Sequence, residues 1–291
     1  MTGSTVIIEL VGRLLAMLLH ILGLYLLQNS RYNNENQKLL LTHLSLSEVL
    51  LCLSGALKHV LTYLNADTAA FYVFALKNTG FSTLYYFMML ALTVDRFCEF
   101  YLNIRYPIIW NSTKTKYIMG LIWSVSTAFC IVIVLYIPSN SNMVYLISSL
   151  YVYPGCEILC MVAIVFTYGY LFMKLRQSRR VTHSASISSS AKSLPSGTTD
   201  KSNRSNASVK RSKRLFVPTF IILTFVIFMV LPDQVYFYLY LQDINVSSIV
   251  HDLFAISYCI AYASDAIVYI FMSPQVRMTL LKKIRLQSYA S

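Results

Sequence analysis

Residues 117–137 read YIMGLIWSVSTAFCIVIVLYI, a run without a single acidic or basic side chain. A stretch of about 20 apolar residues spans the hydrocarbon core of a bilayer as a helix. Backbone amides in lipid find no water, so the run must pair them internally, as a helix does. The period-two alternation of a membrane β-strand is absent. Six further predominantly apolar runs flank it, at roughly 5–28, 38–64, 70–98, 143–173, 215–241 and 247–271. The composition agrees: only 12% of the residues are charged, half the ~25% of an ordinary soluble domain. The expected fold is an all-α membrane protein, a bundle of seven transmembrane helices.

The formal charge of +12 would suit nucleic-acid binding in a soluble protein, but its distribution argues against that. With the N-terminus outside, Arg31, Lys38, Arg96, Arg105, Lys114, Lys116, the basic residues from Lys174 to Arg214, and Arg277, Lys282, Lys283 and Arg285 all fall on the inner side. Only Arg13, Lys58 and Lys77 fall in outer halves. That bias predicts an N-out, C-in orientation. The first run ends Gln28-Asn29-Ser30-Arg31 without a small-residue cleavage site, so it reads as a signal anchor. The six cysteines all lie in or at the ends of apolar runs, which predicts no disulfide framework.

The loops are short apart from 178–212, a Ser-, Lys- and Arg-rich inner loop that is expected to be disordered. Beyond Ser273-Pro274, the segment from Gln275 to Ile284 is apolar on one face and basic on the other. It predicts a short amphipathic eighth helix along the inner leaflet. The organisation is thus a seven-helix domain over 1–286, loop 178–212 included, and a short cytoplasmic tail over 287–291.

The third run closes on Leu92-Thr93-Val94-Asp95-Arg96-Phe97, and ionisable residues within a span are costly unless partnered or functional. Trp123 lies 27 residues beyond Arg96, and Tyr106-Pro107 falls between them. The fifth run carries Tyr168, the sixth Pro232, and the second Leu44-Ser45-Leu46-Ser47-Glu48. The seventh ends Asp265-Ala266-Ile267-Val268-Tyr269, with Arg277 eight residues further on. In this order and spacing the chain, from about Leu14 to Leu286, resembles a rhodopsin-like (class A) G-protein-coupled receptor of divergent, orphan type. Asp95-Arg96-Phe97 is similar to the D-R-Y motif, Asp265 to Tyr269 to N-P-x-x-Y, and Glu48 to the second-helix acid. The departures are Phe71 for the outer cysteine of the third helix, Cys160 for the fifth-helix proline, Val230 for the sixth-helix tryptophan and His20 for the first-helix asparagine.

The resemblance implies a ligand-activated receptor that signals to a heterotrimeric G protein. Asp95, Arg96, Tyr168 and Tyr269 would form its inner switch, with Asp95 the resting partner of Arg96. Ser212 stands where some receptors supply an acidic latch. Pro232 would be the sixth-helix hinge, because proline removes an i→i−4 hydrogen bond. Asn78, Thr79, Ser82, Asp233, Gln234 and Phe237 would line a small-molecule ligand site, with Lys58, His59 and His251 near its mouth. Asn78 in place of an aspartate disfavours an amine ligand, and Cys259 in place of a lysine excludes retinal attachment. Glu48 and Asp265 would hold a sodium ion, or share a proton, since two adjacent carboxylates repel when both are ionised. Tyr85 stands beside that site where a small serine is common. Membrane lipid and an arrestin-like protein, the latter at a phosphorylated inner loop, are the further partners implied.

No H-E-x-x-H, P-loop or G-x-G-x-x-G element occurs, so the sequence carries no enzyme signal. Two other functions compete: a transporter that moves a cation or proton past Glu48 and Asp265, and a non-signalling seven-helix partner protein. The lack of internal repeats favours the receptor over the transporter.

Overall fold

In a computed structural model of the chain, the residues described are 3–30, 34–102, 105–136, 153–189 and 248–288, with Val235, Tyr238 and Leu239. Among them every regular element is a helix. These are α1 (Gly3–Asn29), α2 (Glu35–Tyr63), α3 (Asp67–Leu76), a π turn (Lys77–Phe81), α4 (Ser82–Leu102), α5 (Tyr106–Ile109), α6 (Ser112–Tyr136), α7 (Tyr153–Ser189), α8 (Ser248–Met272) and α9 (Pro274–Ser288). Four segments, Thr5–Asn29, Glu35–Tyr63, Ser112–Leu135 and Gly155–Lys174, are long and apolar enough to cross a membrane. The sixth apolar run lies outside the described residues except at Val235, Tyr238 and Leu239.

Side-chain placement suits a bundle surrounded by hydrocarbon. Ile7, Val11 and Leu18 of α1, Leu121, Ile131 and Leu135 of α6, and Ile158 and Phe166 of α7 point outward and are exposed. His20, Ser47, Glu48, Asp95 and Glu157 are buried between helices. A water-soluble monomer rarely shows apolar faces this continuous, and ionisable groups in a span turn toward the bundle interior.

Helix starts follow from local chemistry. Asn34 caps α2 by accepting from the Gln37 amide at 3.3 Å, and Asn111 caps α6 by accepting from the Lys114 amide at 3.0 Å. Pro274 opens α9, where its missing N–H removes no helical bond. The third apolar run is not one regular helix: the π turn joins α3 to α4. There Gly80 lies so close to α6 that an added Cβ would meet the Cys130 sulfur. Gly12 of α1 is pressed in the same way against Cys259 of α8. Small residues let helix backbones approach where lipid provides no hydrophobic drive.

α1 packs most extensively on α2 and α8, and α4 sits centrally against α2, α6 and α7. The main apolar core lies at the end of the bundle that carries Arg96. It includes Leu26, Leu44, Leu84, Met88, Leu92, Met119, Ile164, Tyr168, Leu171 and Val276. α9 packs on α8 and α1, burying Val276 and leaving Met278, Leu281 and Ile284 exposed.

One expectation is corrected here. Residues 178–189 continue α7 as helix rather than as disordered loop. A helix already nucleated by its apolar part adds further residues at little cost. Residues 190–212 lie outside the described residues.

Candidate functional site

The polar groups at the Arg96 end form one connected chain. Asp95 and Arg96 occupy the last turns of α4, with Asp95 fully buried (0% exposed) and Arg96 at 7%. The Tyr106 hydroxyl, on α5, donates to Asp95 Oδ1 at 2.5 Å. Asn36 of α2 donates through Nδ2 to the Tyr106 oxygen at 3.3 Å and to the Trp110 carbonyl at 2.9 Å. α5 is therefore pinned to both α2 and α4. Burial, with the Asp95 carboxylate beside it, pushes the Tyr106 hydroxyl above its ordinary pKa, so it stays a donor.

Arg96 does not rest mainly on Asp95, as the sequence suggested. Its Nη1 donates to Glu99 Oε2 at 2.9 Å, whereas Nη2 stands 3.7 Å from Asp95 Oδ2. The reason is geometric. Residues three apart share a helix face while adjacent ones diverge, and Asp95 is turned toward Tyr106. Glu99 and Asn36 were missed in the sequence. The i, i+3 spacing of Arg96 and Glu99 is the signal that could have found the first. Nothing local marks Asn36, whose partners lie 70 and 74 residues away.

Tyr168 is buried in the same core, on α7. Tyr269 lies on α8, but its side chain is outside the described residues, as is that of Asp265. Glu48 is fully buried on α2. Its expected pairing with Asp265 around a sodium ion thus falls half outside the described residues. Tyr85 is half-buried and packs against the main core. Trp123 ties α6 to α2 by donating from its indole nitrogen to His43 Nδ1 at 3.1 Å.

Of the expected ligand residues, Asn78 and Thr79 lie in the π turn and Ser82 directly after it, all three buried. The Ser82 hydroxyl donates to the Lys77 carbonyl at 2.9 Å. Pro232, Asp233, Gln234 and Phe237 lie outside the described residues. On the facing helix, Glu157 is 2% exposed and accepts from the Tyr86 hydroxyl at 2.9 Å. An open apolar groove of about 820 Å³ lies elsewhere, between α1 and α8, lined by Val11, Leu15, Ile256 and Ile260 among others.

The end opposite Arg96 holds a second ionic cluster. Glu9 Oε2 stands 2.7 Å from His59 Nε2 and 3.5 Å from Arg13 Nη2. The Arg13 guanidinium lies 5.3 Å from the centre of the Tyr262 ring. Thr5 donates to Asp252 Oδ1 at 2.6 Å, and His20 Nε2 lies 2.8 Å from the Tyr262 carbonyl. These bonds join α1 to α2 and α8. His59, expected near the ligand mouth, is engaged by Glu9, a residue that nothing in the sequence marks.

No family model matches this chain, and no curated protein matches it.

Proposed function

We propose that this chain is a rhodopsin-like G-protein-coupled receptor, with seven spanning helices, an extracellular N-terminus and α9 as an eighth helix on the inner leaflet of the plasma membrane. The observation that carries the reading is the buried Asp95-Arg96 pair at the end of α4, tied through Tyr106 to α5 and set in the core that holds Tyr168. A guanidinium has five donors in a fixed fork, so it can grip backbone carbonyls of an inserted G-protein helix as a lysine cannot. Outward movement of the sixth helix about Pro232 would open the cavity for that helix, and Tyr269 would join Arg96 there. The order of neighbours, with α4 central and α1 beside α8, supports the same reading. So does α9, whose exposed Met278, Leu281 and Ile284 would face the bilayer.

The ligand is an extracellular small molecule bound near Asn78, Thr79 and Ser82, with Asp233, Gln234 and Phe237 on the opposing helix. An arrestin-like protein would bind when serines of the inner loop are phosphorylated, each phosphate adding about −1.5 to −2 charges. The experiment is a nucleotide-exchange assay at matched surface levels. Arg96→Ala abolishes exchange while surface expression persists; exchange at the parental rate defeats the switch role. Orientation has its own test. Tags at Ser193 and Ser291 react with antibody only after permeabilisation, and a tag at Met1 reacts in intact cells.

A second reading, cation or proton translocation, draws on the fully buried Glu48 and on the Glu9–Arg13 ion pair beside His59. It predicts gradient-driven flux in vesicles that needs no G protein and is lost in Glu48→Gln.

A further inference from the structure

We propose that the groove between α1 and α8 binds a long-chain amine, its hydrocarbon tail against the two helices and its ammonium on Asp252. The proposal needs these helices to stand in a membrane and needs no G protein. The groove holds about 820 Å³ and runs from Ile7 to Leu19 on α1 and from Ile256 to Val268 on α8. Either stretch rises about 18 Å, at 1.5 Å per residue, a little more than half of the ~30 Å hydrocarbon core. It therefore takes a tail that reaches through one leaflet. Over that length its mean cross-section is about 45 Å², roughly half that of a helix with its side chains. It is too slender to seat a helix of a second copy.

The walls turn their polar atoms inward. The Cys259 thiol points to the Ile8 carbonyl at 3.7 Å, and the Ser264 hydroxyl donates to the Ala261 carbonyl at 2.6 Å. Lipid tails are as apolar as leucine, so such walls alone prefer no lipid over the bulk. The preference comes from the mouth. Asp252 precedes Ile256 by one helical turn, and Thr5 precedes Ile8 likewise, on the faces that line the groove. The Thr5 hydroxyl donates to Asp252 Oδ1 at 2.6 Å, so the pair bridges α1 and α8 where the groove ends. An ionised carboxylate has about four lone-pair sites, so Asp252 can serve Thr5 and an ammonium together. The same charge repels the phosphate of a phospholipid and the carboxylate of a fatty acid. An alcohol head offers a hydrogen bond without the ion pair.

The test is photolabelling of the purified full-length chain in phosphatidylcholine nanodiscs with a diazirine-bearing octadecylamine, read by mass spectrometry. Label is expected between Ile7 and Leu19 and between Ile256 and Val268. Unlabelled octadecylamine competes it away, whereas octadecanol and octadecanoic acid do not. Asp252→Asn, which keeps an acceptor for Thr5, lowers labelling about ten-fold, the low end for loss of a hydrogen bond to a charged group. Asp252→Glu keeps most of the labelling and serves if the asparagine variant folds poorly. Ala263→Phe, which fills the groove and leaves Asp252 in place, abolishes it. Octadecylamine also raises the thermal midpoint of the parent but not of Asp252→Asn, as a ligand of the folded state must. Equal competition by the alcohol, or parental labelling of Asp252→Asn, would mean a groove open to any lipid and would overturn the amine. Label confined to other helices would overturn the site itself.

Discussion

The two ends of the bundle both bury charge, but they hold it in opposite ways. At the Arg96 end the arginine stands between two carboxylates, one committed to Tyr106 and the other at the bundle's edge. At the Glu9 end a single carboxylate meets Arg13 of its own helix and His59 of α2. Beside it Gly12 of α1 packs directly on Cys259 of α8. The first arrangement gives one guanidinium two carboxylates, and the second gives one carboxylate a guanidinium and an imidazole.

The comparison breaks most visibly at Glu9. Glu9→Leu takes away the partly buried carboxylate shared by Arg13 and His59, and losing a hydrogen bond to a charged group costs about 1.5–3 kcal/mol. A large drop in the thermal midpoint of the detergent-solubilised protein is expected; a parental midpoint would mean that the cluster joins nothing. Next comes overpacking at the π turn. Gly80→Val drives a branched side chain into Cys130, with a cost of roughly 1–3 kcal/mol. Cys130→Ala in the same chain should restore part of the midpoint, and failure to do so places the strain elsewhere. Tyr106→Phe, which leaves the buried Asp95 Oδ1 without its donor, should cost about 1–2 kcal/mol. The smallest effect is expected at Trp123→Phe. It removes one hydrogen bond to His43, worth about 1 kcal/mol, and a larger loss would give α6 a weightier part than this account does.

Hydropathy made four spans legible, Thr5–Asn29, Glu35–Tyr63, Ser112–Leu135 and Gly155–Lys174, since an apolar run over the width of a bilayer has few alternatives. Residues 117–137 duly fall within α6, apart from the last. The π turn was not legible. Within it Gly80 approaches Cys130 closely, a tertiary contact that composition does not record. The helical start of 178–212 was missed for a related reason: low hydrophobicity argues against a core, not against extension of a helix already formed. Asp95 and Arg96 stood out because charges in a span demand partners. Which partner each takes could not be read, because it depends on a tyrosine 11 residues on, brought back by α5. Glu9 escaped notice because one acid near the start of an apolar run looks like a flank. Only the fold shows that it meets His59, 50 residues away.

The central claim is that Arg96 works as a forked donor to a G protein and not as a headgroup anchor. The most direct measurement is nucleotide exchange on a purified heterotrimeric G protein by the full-length chain in lipid nanodiscs, parent against Arg96→Lys. The lysine keeps the positive charge and can still reach lipid phosphate, but it lacks the fork. The account predicts exchange by the parent and its near-complete loss in Arg96→Lys at equal protein. Equal rates for the two, or no exchange by either, would contradict it.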